Sequence, residues 1–381
     1  MSSQIPFVGH EALRAALATA NLGAGLPGTL LIHGPPGCGK QTLAHWLAQL
    51  RLCENNTGGP CGTCRSCRFV ERLEHPDVHW YFPLPRPKGA GTPERLARAL
   101  ETARHERLAQ HRGQPLRPHG DQDVKGLYLA QVRSVRKAAQ KRPTIGNEQV
   151  FIIGDAEYLV PQEASPAAAN ALLKLLEEPP EGSRFILTSS RPESLLETIR
   201  SRALSIHLPP LPEDEVAHFL ETHASVPPDA ARRSARLGRG SIGVALGYLD
   251  ESGSLTERRA EALTLLKAAV AGSKEEIYST SASYGPAGAR GLLGLLADLQ
   301  EWIRDLSAEA LDAEDHVGDR DSGPFLQATA GRLAITPNVA ARAVERVEEA
   351  RILAEANVNP QLLISSLLLD LEAAFLGGPK A

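Results

Sequence analysis

The sequence predicts an α/β domain built on a parallel sheet, followed by a small helical unit and a longer all-α bundle. Three observations carry that expectation. Short apolar runs alternate with segments of helical periodicity as far as Pro209-Pro210, a glycine-rich loop joins the first run to a helix, and no convincing strand candidate follows residue 210. Strands alternating with helices point to a parallel sheet covered on both faces. A chain of 381 residues exceeds one compact core, so two or three domains are expected. The composition places them at residues 1–209, 210–252 and 253–381.

In chain order, Thr29–His33 (TLLIH) is an apolar run short enough for a buried strand. It enters GPPGCGKQT, after which Leu43, Trp46, Leu47 and Leu50 recur at helical spacing. A cysteine-rich loop, residues 53–67, interrupts the chain directly after that helix. Residues Pro83–Gly120 are rich in Pro, Arg and Gly around one helical stretch, Pro93–Arg112, and read as an insertion. A helix is expected from about Gly126 to Lys141, with Leu129, Val132, Val135 and Ala139 on its apolar face. Gln149–Ile153 (QVFII) is a second strand, ending at Gly154-Asp155. Ala167–Leu176 is helical and stops before Pro179-Pro180. Phe185–Thr188 is a third strand, and alternation over Leu204–Leu208 predicts a fourth. Asp214–Ala245 fits a small helical unit and Leu255–Leu376 a helical bundle.

Bulk properties exclude some functions. No apolar run approaches the ~20 residues that span a bilayer, and the N-terminus lacks a secretory signal pattern, so a cytoplasmic protein without a membrane partner is expected. The net charge of −4 hides an asymmetry. Between Leu84 and Arg142 there are fourteen Lys/Arg against five Asp/Glu, a local +9, which leaves −13 on the remainder. Such a segment suits an acidic partner or nucleic acid, or is simply a solvated insert. The whole chain is too weakly basic to hold DNA well by itself.

Cys53, Cys61, Cys64 and Cys67 fall within CENNTGGPCGTCRSC, while Cys38 stands apart. The two-residue gaps let successive thiolates turn onto one point, and Cys53 completes a tetrahedral set. The loop has almost no apolar residues with which to fold itself, and a metal supplies that missing energy. Disulfides are the competing reading, disfavoured in a chain with no export signal. Four protein ligands leave no open position, so the expected zinc is structural.

Gly34–Lys40 satisfies G-x-x-x-x-G-K between a strand and a helix. Such a loop aims backbone N–H groups at phosphates, and its lysine reaches the outer ones. Gly34, Gly37, Gly39 and Lys40 are therefore phosphate-binding candidates. Where a Ser or Thr hydroxyl normally holds Mg²⁺, the chain has Gln41, with Thr42 displaced by one position.

The string GDAEYLV…AANALLKLLEEPPEGSRFILTSSRPESLLETIRSRALSIHLPPL, Gly154 to Leu211, resembles the core of bacterial DNA polymerase III clamp-loader subunits, members of the AAA+ family. Gln131–Ile153, the P-loop with its cysteine loop, His75-Pro76-Asp77 and the C-terminal NVNPQLLISSLLLDL match the same family. The resemblance implies an AAA+ P-loop domain, a helical lid and a helical collar that joins five subunits in a ring. It also implies as partners the gamma/tau and delta subunits, the sliding clamp and, through the assembly, primed DNA.

Within that family, motor subunits carry a Walker B ending in Asp-Glu, where this chain has Gly154 and Asp155. Motors also place a sensor 2 arginine after Gly-Ser-x, and here Gly240-Ser241-Ile242 is followed by Gly243. With Gln41, three parts of the hydrolytic site are altered. Hydrolysis needs a metal ligand, a water-orienting acid and cations, so weak or absent ATP/Mg²⁺ use by Lys40, Thr42 and Asp155 is expected. The pattern is that of the non-hydrolysing delta-prime type, with an ATP-hydrolysing gamma/tau-like motor and a self-assembling helicase loader as rivals. Ser201-Arg202 falls where the family's SRC motif places an arginine finger acting on the neighbouring subunit, with Ala203 in place of Cys. The competing reading of Arg202 is a local salt bridge. Either Ser189 or Ser190 occupies the sensor 1 position. Glu177-Glu178, Trp46 and Trp302 read as structural.

Overall fold

The first apolar run forms strand β1, Thr29–His33, with its first four residues buried. The other strands are β2 (Val78–Tyr81), β3 (Leu84–Pro85), β4 (Lys125–Gly126), β5 (Gln149–Ile153), β6 (Ser183–Ser189) and β7 (Leu204–His207). The computed structural model describes residues 7–23, 25–55, 58–87, 89, 92–113, 125–159, 167–250, 253–285, 289–313, 317–333, 335–356 and 358–376. Five strands make one sheet in the order β2-β5-β6-β1-β7, and every pairing in it is parallel. β3 and β4 form a separate antiparallel pair.

The period of two along each strand sorts side chains to the two faces. Leu30 and Ile32 of β1 and Val150 and Ile152 of β5 pack with Leu43 and Leu47 of the helix Lys40–Leu52. Leu31, Phe151, Ile153 and Phe185 pack on the opposite face with Val132 and Val135 of Leu129–Ala139 and Leu172 and Leu176 of Ala167–Glu177. Helices therefore cover both faces, and each fully buried aliphatic side chain contributes roughly 1.5–3 kcal/mol. Because all five strands run the same way, His33, Ile153 and Ser189 end at one edge of the sheet, where ligands bind in open α/β folds.

One strand has no signature in the sequence and one helix start shifts. Val78–Tyr81 forms the sheet edge beside β5. Its sequence, VHWY, is neither a continuous apolar run nor a clean alternation, and its partner lies some seventy residues away. The helix expected from Gly126 starts at Leu129, because Lys125-Gly126 pairs with Leu84-Pro85. In the insertion the helix is Pro93–Gly113, and residues 114–124 lie outside the described residues.

The chain divides into two compact units, with the second beginning at Gly247. The first contains the sheet together with the helices Glu213–His223 and Pro228–Gly238. Among its described residues the second is built of helices joined by turns, with no strand, from Ser254–Ala271 to Pro360–Leu376. Trp302 is buried at its centre, with its indole N–H donating to Arg259 O at 2.9 Å. The Arg259 guanidinium lies 4.1 Å from the Trp302 ring centroid and 2.9 Å from Asp305. This is core packing, as expected for Trp302. Trp46 packs half-buried near Phe7. Among the described residues no helix is long and apolar enough to cross a membrane.

Buried titratable groups make the first unit acid-sensitive. Burial pushes the His45 imidazole down to about 3, and burial followed by Arg104 brings His79 to about 4. Burial alone would raise Asp77, but N–H donors from Thr144, Ile145 and Gly146 hold its carboxyl below the ordinary value. All three folded-state pKa values are depressed. The two histidines thus contribute full stability above about pH 6.5, and it is lost as pH falls toward 4 and 3 because the unfolded chain binds the proton first. Asp77 adds a loss below about pH 4. At pH 5 each histidine is expected to cost about 2 kcal/mol. Thermal unfolding followed from pH 7.5 to 5 should show a steep fall in Tm, flattened when His45 is replaced by Phe. A flat profile in the wild-type chain contradicts neutral burial of these rings.

Candidate functional site

The loop after β1 takes the form that phosphate binding demands, yet the chain fills it with its own groups. Gly37 and Gly39 have φ of 73° and 94°, the left-handed region that glycine tolerates best. A Cβ at Gly37 would overlap the Ser241 hydroxyl, so the segment before the short helix Ile242–Gly247 lies directly on the loop. The Gly243 N–H donates to Gly37 O at 3.4 Å. A Cβ built on Gly243 would stand 3.5 Å from the Gly37 Cα, an ordinary van der Waals contact, so the backbones of the two segments already lie against each other. Lys40, nearly buried, turns its ammonium back onto the loop, 3.0 Å from Gly34 O and 2.7 Å from Pro35 O.

The metal position is occupied in a similar way. Gln41 Nε2 donates to Asp155 Oδ2 at 3.1 Å. A Cβ at Gly154 would lie 3.0–3.2 Å from the Gln41 carboxamide, so the amide fills the space that a side chain at 154 would need. Asp155 sits at φ 48°, a left-handed conformation that Asp adopts more readily than most residues. Its N–H is held by the Thr188 hydroxyl at 2.9 Å. Thr42 is one residue further along the helix, about 100° round its axis from Gln41. Gln41, not Thr42, reaches the acid. These residues do not fit a Mg²⁺ ion: the amide donor faces the carboxylate, and neither a hydroxyl at 41 nor an acid at 154 is present.

Ser201 and Arg202 lie between the short helix Glu197–Arg200 and β7. The Arg202 guanidinium is 38% exposed and pairs with Glu177 Oε1 at 2.8 Å, while a second nitrogen donates to Thr198 O at 3.0 Å. The Ser201 hydroxyl donates to Thr198 O at 3.2 Å. The local salt bridge is therefore real. An exposed pair of this kind is worth only about 0.2–1 kcal/mol, which leaves the arginine free to exchange partners.

The four cysteines converge. Cys53 caps the end of the P-loop helix, Cys64 caps the start of Arg65–Glu71, and the Sγ atoms of Cys53, Cys61, Cys64 and Cys67 all lie within 4.8 Å of one another. None forms a disulfide. Backbone N–H groups point at three of the sulfurs: Cys61 N at Cys53, Cys64 N at Cys61, and Cys67 N at Cys64, at 3.3–3.4 Å. Such donors favour thiolate, and led by the Cys64 N–H they bring the Cys61 thiol down to about 6, whereas burial pushes Cys67 up. Four convergent sulfurs with amide donors behind them fit a tetrahedral, ligand-saturated metal site. The Gln49 amide, donating to Cys67 O at 3.1 Å, ties this module to the P-loop helix.

A family model described as DNA polymerase III, delta subunit, matches residues 10–212, more than half of the chain. The chain belongs to that DNA polymerase III subunit family. It is 32% identical over 218 residues to the DNA polymerase III subunit delta' of Escherichia coli (strain K12), covering 57% of this chain and 53% of the relative. The delta' subunit of Yersinia pestis is 27% identical over 370 residues, 92% of this chain and 90% of its own. The tau subunit of E. coli (strain K12) is 29% identical over 251 residues, 64% of this chain and 32% of tau. The chain thus spans about half or less of the E. coli relatives and nearly all of the Yersinia one. Its first unit is an α/β domain on a five-stranded parallel sheet with a glycine-rich loop after β1, and the described part of its second unit is built of helices.

In this family member, two residues at the site escaped the sequence reading. Thr188 holds the Asp155 backbone, and the buried Glu157 accepts from the Ser190 N–H at 3.0 Å. Ser189 is buried, and its hydroxyl accepts from the Arg191 N–H at 3.1 Å. A threonine preceding two serines at a strand end carried the only available signal, and alternation along β6 was the means to use it.

Proposed function

We propose that this family member is a delta-prime-type subunit of a DNA polymerase III clamp loader: it does not hydrolyse ATP itself, and completes a neighbouring gamma/tau ATPase site with Arg202. Its role is that of a stator that supports opening of the sliding clamp for primed DNA, in a ring that also holds delta. The observation that carries this reading is the Gln41–Asp155 hydrogen bond, which takes the place of metal coordination. The family arginine meanwhile stays at the surface on a weak ion pair. The Cys53, Cys61, Cys64 and Cys67 cluster is read as a structural zinc site, distant in role from any chemistry.

The rival, favoured by the likeness to tau, is a motor subunit firing at its own P-loop. Titration of the isolated chain with a fluorescent ATP analogue separates the two. We expect weak binding that Mg²⁺ does not improve, and no steady phosphate release. Replacing Gln41 by Thr and Gly154 by Asp together is expected to create Mg²⁺ dependence, tightening binding about tenfold or more, since a hydroxyl and a carboxylate ligand replace one amide bond. Either change alone should do little, because the Gln41 amide occupies the space an acid at 154 needs. Tight, Mg²⁺-dependent binding with continuous turnover by the wild-type chain returns the motor reading to first place.

A further inference from the structure

The insertion, which the AAA+ reading leaves unused, builds an open groove of about 530 Å³. One wall is a face of the helix Pro93–Gly113: Arg95, Arg98, Ala99, Thr102 and Glu106 follow the three- and four-residue spacing of a single stripe. The opposite stripe, with Leu100, Arg104 and Leu108, is buried against the body of the domain. That burial fixes which face is presented. The other wall is Pro85, Arg86 and Pro87, held by the pairing of β3 with β4. Pro85 and Pro87 contribute stiff apolar surface with no N–H to satisfy, and Ala99 keeps the floor shallow and apolar.

We propose that this groove is a docking site for an extended acidic peptide segment whose carboxylates alternate with aliphatic side chains. Charge complementarity selects the acid: among the described lining residues Arg86, Arg95 and Arg98 stand against one carboxylate, Glu106. They sit in the most basic stretch of an otherwise acidic chain. The apolar walls select the aliphatic partner, because a purely acidic strand would leave Pro85, Pro87 and Ala99 uncovered. Length is set by the helix. From Arg95 to Glu106 it rises about 16 Å at ~1.5 Å per residue, which matches about five residues of an extended strand at ~3.3 Å each. Alternation follows from the strand period of two, which sends acids toward the arginines and aliphatics toward the floor. Nucleic acid is the poorer occupant. Three arginines neutralise few phosphates, and among the described residues that line the groove there is no aromatic ring on which a base would stack.

The test uses the full chain and a fluorescein-labelled peptide, Gly-Ser-Asp-Leu-Glu-Val-Asp-Gly-Ser, followed by fluorescence anisotropy. An acidic control with Gly and Ser in place of Leu and Val, and a labelled fifteen-residue oligothymidylate, are measured beside it. Saturable binding of the first peptide is expected, at least about tenfold tighter than either control and weakening with salt. The double variant Arg95→Ala, Arg98→Ala should lose about tenfold in affinity, and Ala99→Glu should lose as much by filling the floor with like charge. All three positions are on the outward face, so unchanged thermal unfolding confirms that folding is intact. Equal binding of both peptides, tighter binding of the oligonucleotide, or wild-type affinity in the variants overturns the proposal.

Discussion

Arg202→Ala is expected to cut turnover at one neighbouring ATP site by about 10³–10⁵ while leaving this chain folded. The magnitude follows from where such a cation acts: it meets negative charge that grows as the phosphoryl group transfers, so its contribution falls on the transition state. The folding half follows from geometry. Arg202 is partly exposed and its partner Glu177 is equally so, 38% and 39%. Breaking the pair costs less than about 1 kcal/mol after solvent screening. In a reconstituted complex the remaining intact sites mask most of the loss, so a several-fold fall in total ATPase and clamp-loading rate is the readout. Two controls sharpen it. Glu177→Gln removes the local ion pair but keeps the guanidinium, so turnover should persist if the arginine works on a neighbour. Lys40→Ala should matter little, because this chain's own loop is closed on its own carbonyls. A complex crippled by Lys40→Ala and indifferent to Arg202→Ala is a complex in which this chain is a motor.

Removal of metal is the second large expected effect. Purified without chelator, the chain should carry close to one zinc, and Cys64→Ser should abolish stoichiometric retention. Cys64 is a ligand candidate, the cap of Arg65–Glu71 and the acceptor of the Cys67 N–H at once. Structural zinc contributes on the order of 10 kcal/mol to folding its module. The module here is small and polar, and hydrogen bonds from Gln49 to Cys67 and from Ser66 to Glu54 help to hold it. Without metal, it is expected to open first, giving rapid proteolysis between residues 53 and 67. Since Cys53 caps the helix Lys40–Leu52, loosening should reach the P-loop domain. A Tm fall on the order of 10 °C corresponds to a few kcal/mol in a unit of this size. Metal-free protein with unchanged melting and protease resistance would falsify the structural role.

Several site features were legible because they depend on neighbours in the chain. The glycines of the P-loop announce a backbone that only they tolerate, and at Gly37 and Gly39 it is present. The cysteine spacing announces convergence, and the sulfurs converge. Strands β1, β5 and β6 are continuous apolar runs, the pattern of a sheet buried on both faces. β2 was not legible, because an edge strand takes its stability from one partner, β5, and does not need a full apolar run. Thr188 and Glu157 escaped for another reason: a hydroxyl or carboxylate announces nothing until the group it bonds is known.

By itself the sequence determined the fold class, the order of strands β1, β5, β6 and β7, the phosphate-loop backbone and the clustering of four thiols. All of these arise from residue spacings of a few positions, over which the chain's own geometry leaves little freedom. Tertiary structure alone decided what those parts do. The Gln41–Asp155 bond joins residues 114 apart. Gly243 meets Gly37 across the two ends of the domain. Arg202 finds Glu177 only because a helix end and a strand entry are brought side by side. A missing side chain at 154 reads in the sequence as a lost function. In three dimensions it is space that the Gln41 carboxamide enters, and the physical reason is packing: an interior at native density leaves no such space empty.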